Sequence, residues 1–462
     1  MGEHERDIRV TITMTYNPKK ERSSNTGNTA IMRTIRNQSP LPVTFDEWTQ
    51  ERIVPSLGTN AGATVLPFQN WRNFKEAFAP ELIARAIEAS YIPVKRCLDP
   101  FGGSGTTALA CQFLGVHPIT VEINPFLADL IEAKLDSYDA DALAKDLTLV
   151  LGYARNNQAD NKTVFQFAPR TFVQPGVNGR WVFDDAVATR IAALRLAIEA
   201  LPNQKHRRLF LVILGGILVS VSNVVISGKG RRYRRRWQDR CRDPHEVDNQ
   251  FCNAAQKAIV EAHRFRQRGC SSYKLIRGDS REVLNEDASC DLAVFSPPYP
   301  NSFDYTDVYN LELWTLGYLD STASNHSLRK STLCSHVQIK RDFPQPPPGS
   351  STLVQTLEKL ESVKGLLWNP WIPAMVGGYF ADLVSILSSI HRLIKPLGTT
   401  WMVLGDSRYA DVSVDTTTIV AELATHLGWK VESSEPFRSM RASPQQGGRE
   451  ELSESLIVIS KC

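Results

Sequence analysis

Apolar residues in this chain alternate between short continuous runs and stretches spaced for one helix face, and the alternation begins near Pro67. Phe78 to Ile87 has helical apolar spacing with Pro80 near its start, a common opening signal for a helix. Val94 to Leu98 leads into a glycine turn at Asp99–Gly105. Thr106 to Leu114 follows as a helix closed by Gly115, and Pro118 to Ile123 as a strand. That is a strand–turn–helix–strand unit of about 30 residues. The rhythm breaks over 136–270, where Ala186 to Leu201 has helical periodicity and Leu209 to Ile226 is continuously apolar. It resumes with a strand at Tyr273–Ser280 and another at Asp291–Phe295, which closes on Ser296-Pro297-Pro298-Tyr299. The spacing then predicts helices over Val308–Leu316, Phe380–Leu393 and Thr417–Leu427, and strands over Gly398–Leu404 and Glu454–Ile459. Five or more strands alternating with helices predict an α/β fold, a doubly wound, mostly parallel sheet carrying a large, mainly helical insertion. Residues 1–66 read as a polar arm, with an alternating run at Asp7–Tyr16 that fits an edge strand. Residues 67–135 and 271–462 read as the two halves of the α/β domain, 136–270 as the insertion, and 320–352 as a polar, proline-rich loop or linker.

Composition narrows the class. With 462 residues, 42% hydrophobic and 22% charged, the chain can bury a large core and is not a disordered polymer. The first thirty residues hold no apolar run of signal-peptide length. Eight cysteines show no CxxC pair, so neither a zinc site nor a disulfide framework is expected, no metal is assigned, and a cytoplasmic location fits. The apolar run Leu209–Ile226 contains two glycines, two serines and an asparagine, and is read as a buried helix, not a membrane span. The net charge of +4 hides an asymmetry: Gly228–Arg242 alone holds one lysine and seven arginines against one aspartate. Such a patch calls for an anionic partner.

In doubly wound sheets, ligands bind at the carboxyl ends of the strands. Four such ends carry chemistry here: Asp99–Gly105, Glu122, Asp279 and Ser296–Tyr299. The first is a glycine turn opening a helix, where backbone can approach a ligand and the helix N-terminus favours a negative group. Gly103-x-Gly105-x-x-Ala108, with Glu122 further on, fits a nicotinamide enzyme or another nucleoside-type cofactor equally well. No lysine follows the glycines, which excludes a triphosphate loop. Ser296-Pro297-Pro298-Tyr299 breaks the tie. Two prolines donate no backbone hydrogens and force a rigid, extended turn whose carbonyls are free to accept. A serine oxygen on one side and an aromatic face on the other make a slot for a flat group bearing an NH2.

At these residues the chain resembles the amino-methylating DNA methyltransferases, which act on the N4 amine of cytosine or the N6 amine of adenine. DPFGGSGTT (Asp99–Thr107) is similar to the family's glycine motif, and SPPY (Ser296–Tyr299) to its catalytic motif. Phe74–Ile83 resembles the segment that precedes the glycine motif, and Glu454–Lys461 resembles the family's closing strand. The likeness covers 67–135 and 273–462 and implies a Rossmann-like fold. It also implies S-adenosylmethionine as cofactor, with 67–135 as the cofactor-binding half and 271–462 as the catalytic half. The cofactor residues it implies are Lys75, Phe78, Asp99, Pro100, Phe101, Gly102, Gly103, Ser104, Gly105 and Thr106, then Glu122 with Ile123 at the ribose and Asp279 with Ser280 at the adenine. The catalytic set is Ser296, Pro297, Pro298 and Tyr299.

The serine form of the motif favours cytosine N4 over adenine N6 or an RNA base. No Pro-Cys dipeptide occurs, which argues against methylation at cytosine C5. An NAD-dependent oxidoreductase is the remote alternative. The implied chemistry is direct transfer to an amine whose lone pair is localised by hydrogen bonds to Ser296 and the Pro297 carbonyl, on a base extruded from the duplex and stacked on Tyr299. Arg231, Arg232, Tyr233, Arg234, Arg235 and Arg236 are the expected nucleic-acid contacts within the insertion. The expected partners are double-stranded DNA and, in a restriction-modification or related defence setting, a cognate endonuclease; no membrane is expected.

Overall fold

The computed structural model describes residues 43–462 apart from 55, 61, 74–76, 158, 228–229, 240–242 and 442–450. The alternating run at Asp7–Tyr16 and the site residue Lys75 lie outside these. Seven strands form the main sheet: β1 (Arg96–Asp99), β2 (His117–Glu122), β5 (Lys274–Arg277), β6 (Cys290–Phe295), β7 (Ile394–Gly405), β10 (Trp429–Arg441) and β11 (Glu451–Lys461). Their order is β10-β11-β7-β6-β1-β2-β5. All neighbours from β7 to β5 are parallel, and β11 runs antiparallel between β7 and β10. Two hairpins complete the strand set: β3 (Val224–Ser227) with β4 (Gly230–Tyr233), and β8 (Ser407–Tyr409) with β9 (Val412–Val414). This is a Rossmann-like, doubly wound sheet.

The continuous apolar runs have a direct structural cause. Side chains alternate between sheet faces, and both faces are covered. Cys97, Leu292, Val294, Val403 and Val458 join the core on one face; Leu98, Ala293, Phe295, Leu404 and Ile459 join the core on the other. Helices α1 (Glu81–Glu88), α2 (Thr106–Phe113) and α3 (Pro125–Leu135) belong to the first face, and α12 (Ile372–Leu393) and α13 (Thr416–His426) to the second.

The insertion is fused to the first face. Its helices α4 (Ala140–Asn156), α5 (Asp185–Glu199), α6 (Gln204–Val221) and α7 (His245–Arg264) share the core that holds Leu130 and Ile131 of α3. The long apolar run is therefore a buried helix, but it ends at Val221, and Val224–Ile226 already belong to β3. Its two glycines are contact points. A Cβ on Gly216 would lie 2.1 Å from the Trp71 carbonyl oxygen, and one on Gly215 would lie 2.6 Å from the Phe126 ring. Among the described residues, α12 is long and apolar enough to cross a membrane, and most of it is buried in the second core.

The structure corrects two readings of the second half and adds a strand to it. Residues 320–352 are not a linker: α10 (Thr322–Lys330) is capped by Ser321, and α11 (Ser351–Ser362) starts at the segment's end. Between them Leu333, Cys334, Ser335 and His336 are buried, and Asp382 of α12 accepts the Cys334 N–H at 2.9 Å. The expected Val308–Leu316 helix is two short ones, α8 (Tyr305–Val308) and α9 (Asn310–Thr315). Strand β10 has no counterpart in the apolar pattern: it is a polar edge strand, with Pro436 at an irregularity in the ladder where a missing N–H costs least.

Candidate active site

Strand order reverses between β6 and β1, the point where an open parallel sheet leaves a crevice for a ligand. A cavity of about 390 Å³ sits there, lined from every marked strand end: the glycine turn after β1, Glu122 and Ile123 at β2, Asp279 and Ser280 after β5, and Ser296–Tyr299 after β6.

The glycine turn owes its shape to packing beneath it. The Gly102 N–H bonds the Val121 carbonyl at 2.9 Å, and a Cβ on Gly102 would lie 2.4 Å from Thr120 Cγ2. Gly103 and Gly105 have φ of +51° and +79°, a region that favours glycine, and Gly105 caps α2. Asp99 accepts the Phe101 N–H at 2.9 Å, and burial lifts its carboxyl to about 6. Below the turn, buried Lys134 donates to the Ser104 carbonyl at 2.7 Å, and burial pushes its ammonium down to about 7. Glu122 accepts two backbone N–H groups, from Gly103 and Asn124, each at 2.7 Å. Burial outweighs those bonds and raises its carboxyl to about 7.

On the far wall, Asp279 caps the turn after β5 and is gripped by the guanidinium of Arg281, whose Nε lies 3.0 Å from both carboxylate oxygens. Arg281 also reaches Asp382 of α12 at 2.9 Å. The Ser280 hydroxyl donates to the Pro100 carbonyl, which ties this turn to the one after β1. Phe78 and Phe101 supply apolar wall.

Ser296 donates to the Val403 carbonyl at 3.0 Å, with the Tyr299 hydroxyl 3.3 Å away. Tyr299 donates to Glu454 Oε1 at 2.9 Å, and Arg438 Nε holds Glu454 Oε2 at 2.6 Å. Tyr305 and Phe303, edge to face with ring centroids 4.5 Å apart, close the rim. The sequence reading gave no role to Glu454, Arg438, Lys134 or Arg281. An acid opening an otherwise apolar strand and a lysine inside an apolar helix were the available signals.

The arginine cluster divides. Arg231, Arg232, Arg235 and Arg236 are exposed along and beyond the β3–β4 hairpin, which packs against α8 at the cavity rim. Arg234 is committed to the fold: its Nη2 donates to Val219 O at 2.8 Å and its Nε to Ser222 O at 3.1 Å, satisfying the end of α6. Tyr233 is half-buried, 5.5 Å from Trp237 and under the Arg180 guanidinium. The expected contact surface is therefore narrower than the six residues read from sequence.

A family model described as DNA methylase matches residues 7–133. Type II methyltransferase M.AvaI of Nostoc sp. is 26% identical over 441 residues, covering 86% of each chain. Type II methyltransferase M.BsoBI of Geobacillus stearothermophilus is 24% identical over 448 residues, covering 85% of each. Over most of its length the chain is thus similar to Type II methyltransferases, and these likenesses support an amino-methylating DNA methyltransferase. A third relative, Type II methyltransferase M.MjaII of Methanocaldococcus jannaschii, is 35% identical over 74 residues, 16% of this chain and 14% of its own. A solved glycopeptide N-methyltransferase complexed with S-adenosylmethionine covers 83% of this chain and 93% of its own at 9% identity. Its TM-score is 0.28.

S-adenosylmethionine is the cofactor of such enzymes, and the residues present fit it. Two buried acids, Glu122 and Asp279, and the apolar side chains of Phe78 and Phe101 line one cavity, which suits a ligand that carries hydroxyl and amine donors on an apolar body. Glu122, Asp279, Phe78 and the turn Asp99–Thr106 would hold it.

Proposed function

We propose that this methyltransferase modifies the N4 amine of cytosine in a specific sequence of double-stranded DNA, as the modification activity of a restriction-modification or related defence system in the cytoplasm. S-adenosylmethionine, when bound, supplies an electrophilic methyl group. The observation that carries the reading is the shared cavity: Ser296 and Tyr299 face the same space as the glycine turn and Glu122. An amine received on the Ser-Pro-Pro-Tyr turn therefore lies on the side of the cavity where the methyl donor is held.

The chain's own residues do the rest by positioning. Ser296 keeps its hydrogen on Val403 O, so its lone pairs are available to an NH2 donor. That hydrogen bond, with the Pro297 carbonyl as second acceptor, localises the amine lone pair. Tyr299 offers a ring on which an extruded base stacks, offsetting part of the few kcal/mol that unstacking costs. The exposed Arg231, Arg232, Arg235 and Arg236 stand beside the rim, where phosphates of a bound duplex pass. The serine at the head of the motif favours cytosine over adenine.

Single-turnover transfer of a labelled methyl group to DNA by Ser296→Ala tests the assignment. The account expects wild-type affinity for S-adenosylmethionine and a rate lowered by at least about tenfold, the smallest loss expected when a positioning contact is removed. A wild-type rate would remove the Ser-Pro-Pro-Tyr turn from the reaction.

A further inference from the structure

The proposed reaction employs Ser296 and Tyr299 but leaves unexplained the carboxylate behind them. Glu454 is 2% exposed. It is the direct cross-strand partner of Arg438 in the β10–β11 ladder, and Arg438 grips it with Nε at 2.6 Å from Oε2 and Nη2 at 3.2 Å from Oε1. Gly58 walls it in: a Cβ there would lie 2.7 Å from Glu454 Oε2.

A buried carboxylate is costly even when paired, and the strand has no need of one. Its neighbours Leu456, Ile457, Val458 and Ile459 build the sheet with apolar side chains. What the acid adds is a charged acceptor aimed into the cavity. Tyr299 donates to it at 2.9 Å, and the Ser296 hydroxyl lies 3.3 Å from the same phenol oxygen. Burial next to Glu454 holds the phenol far above its ordinary range, so Tyr299 remains the donor.

A ring that receives an extruded base must not swing about its side-chain torsions. A phenol bonded to an ionised acceptor is fixed at its far end, and such bonds are stronger than neutral ones. We propose that Glu454, clamped by Arg438, is the positioning residue of the amine slot, holding the Tyr299 hydroxyl and through it the aromatic face beside Ser296. Glu454 can play that part only if Ser296 and Tyr299 receive the amine, as proposed above.

The test is a double-mutant cycle on the full-length enzyme, read as the single-turnover rate of methyl transfer at saturating DNA and S-adenosylmethionine. Tyr299→Phe keeps the ring and loses the anchor; Glu454→Gln keeps the length and loses the charge. Each is expected to slow transfer about tenfold and to leave the cofactor affinity, measured by calorimetry, within about twofold, while the double variant is no slower than the worse single. Losses that multiply to about 100-fold would mean two independent effects and overturn the proposal. Wild-type rates in both single variants, with Ser296→Ala slow, overturn the role of Glu454 alone. Wild-type rates in all three overturn the reading of the slot itself. Should Glu454→Gln fail to fold, Tyr299→Phe decides: it leaves the Glu454–Arg438 pair intact, and a wild-type rate is contrary to the proposal.

Discussion

The Glu122 carboxylate accepts the Gly103 N–H at 2.7 Å, so the end of β2 and the glycine turn after β1 are one unit. That contact carries a proton with it. Burial raises Glu122 to about 7 in the free enzyme, whereas hydroxyl donors from a ribose favour the ionised form.

A pH dependence of cofactor binding follows. The folded, unliganded carboxyl has a raised pKa and binding lowers it, so binding releases protons below about 7. Affinity should rise with pH up to about 7 and level off above it, by at most tenfold per pH unit. Calorimetry in buffers of different ionisation heat measures the release directly. Glu122→Gln should abolish it, and a proton-release profile unchanged in that variant would assign the effect elsewhere.

The glycine turn is sensitive for a different reason. Gly105 has φ of +79° and a Cβ there would lie 3.0 Å from Ile131 Cγ1. Gly105→Ala should cost about 1–3 kcal/mol of strain and shift the opening of α2. The expected outcome is a lower melting temperature together with weaker S-adenosylmethionine binding. Gly216→Ala should also melt earlier, by about 1–3 kcal/mol of overpacking against the Trp71 carbonyl. Cofactor affinity in the folded fraction should be unchanged, because Gly216 lies outside the cavity lining.

Much of this site was legible because strand ends with unusual turn chemistry stand out. The glycines after β1 and the paired prolines after β6 are local features, and continuous apolar runs announce strands covered on both faces. Other parts were not local. Strand β10 has a polar edge sequence with Pro436 in it, so neither alternation nor apolarity marks it. Without β10, nothing pairs Arg438 with Glu454, and the support of Tyr299 stays hidden. Helix α10 has no buried residue; its Ser321 cap, the partly buried Leu328 against the first core and the pairing of Arg329 with Asp304 at 2.6 Å hold it in place. In the sequence Arg234 is indistinguishable from the other four arginines of 231–236, because the carbonyls it satisfies at the end of α6 are twelve and fifteen residues away in the chain.

The arginines therefore separate by experiment. Neutralising Arg231, Arg232 and Arg235 together should weaken DNA binding on all sequences alike. It should also flatten the log–log salt slope by about 0.9 per lost phosphate contact, with the melting temperature unchanged. Arg234→Ala should do the opposite, lowering stability by about 1–3 kcal/mol through the orphaned carbonyls at the end of α6 while leaving the salt slope alone. Equal salt slopes for wild type and triple variant would make the hairpin a solvated face.

The most direct measurement of the central claim is the identity of the methylated nucleoside. Duplex DNA incubated with the enzyme and S-adenosylmethionine, digested to nucleosides and resolved by mass spectrometry, should yield N4-methyldeoxycytidine, with none from Ser296→Ala. N6-methyldeoxyadenosine as the sole product would contradict the cytosine assignment while keeping the amine slot, and 5-methyldeoxycytidine would contradict the slot itself.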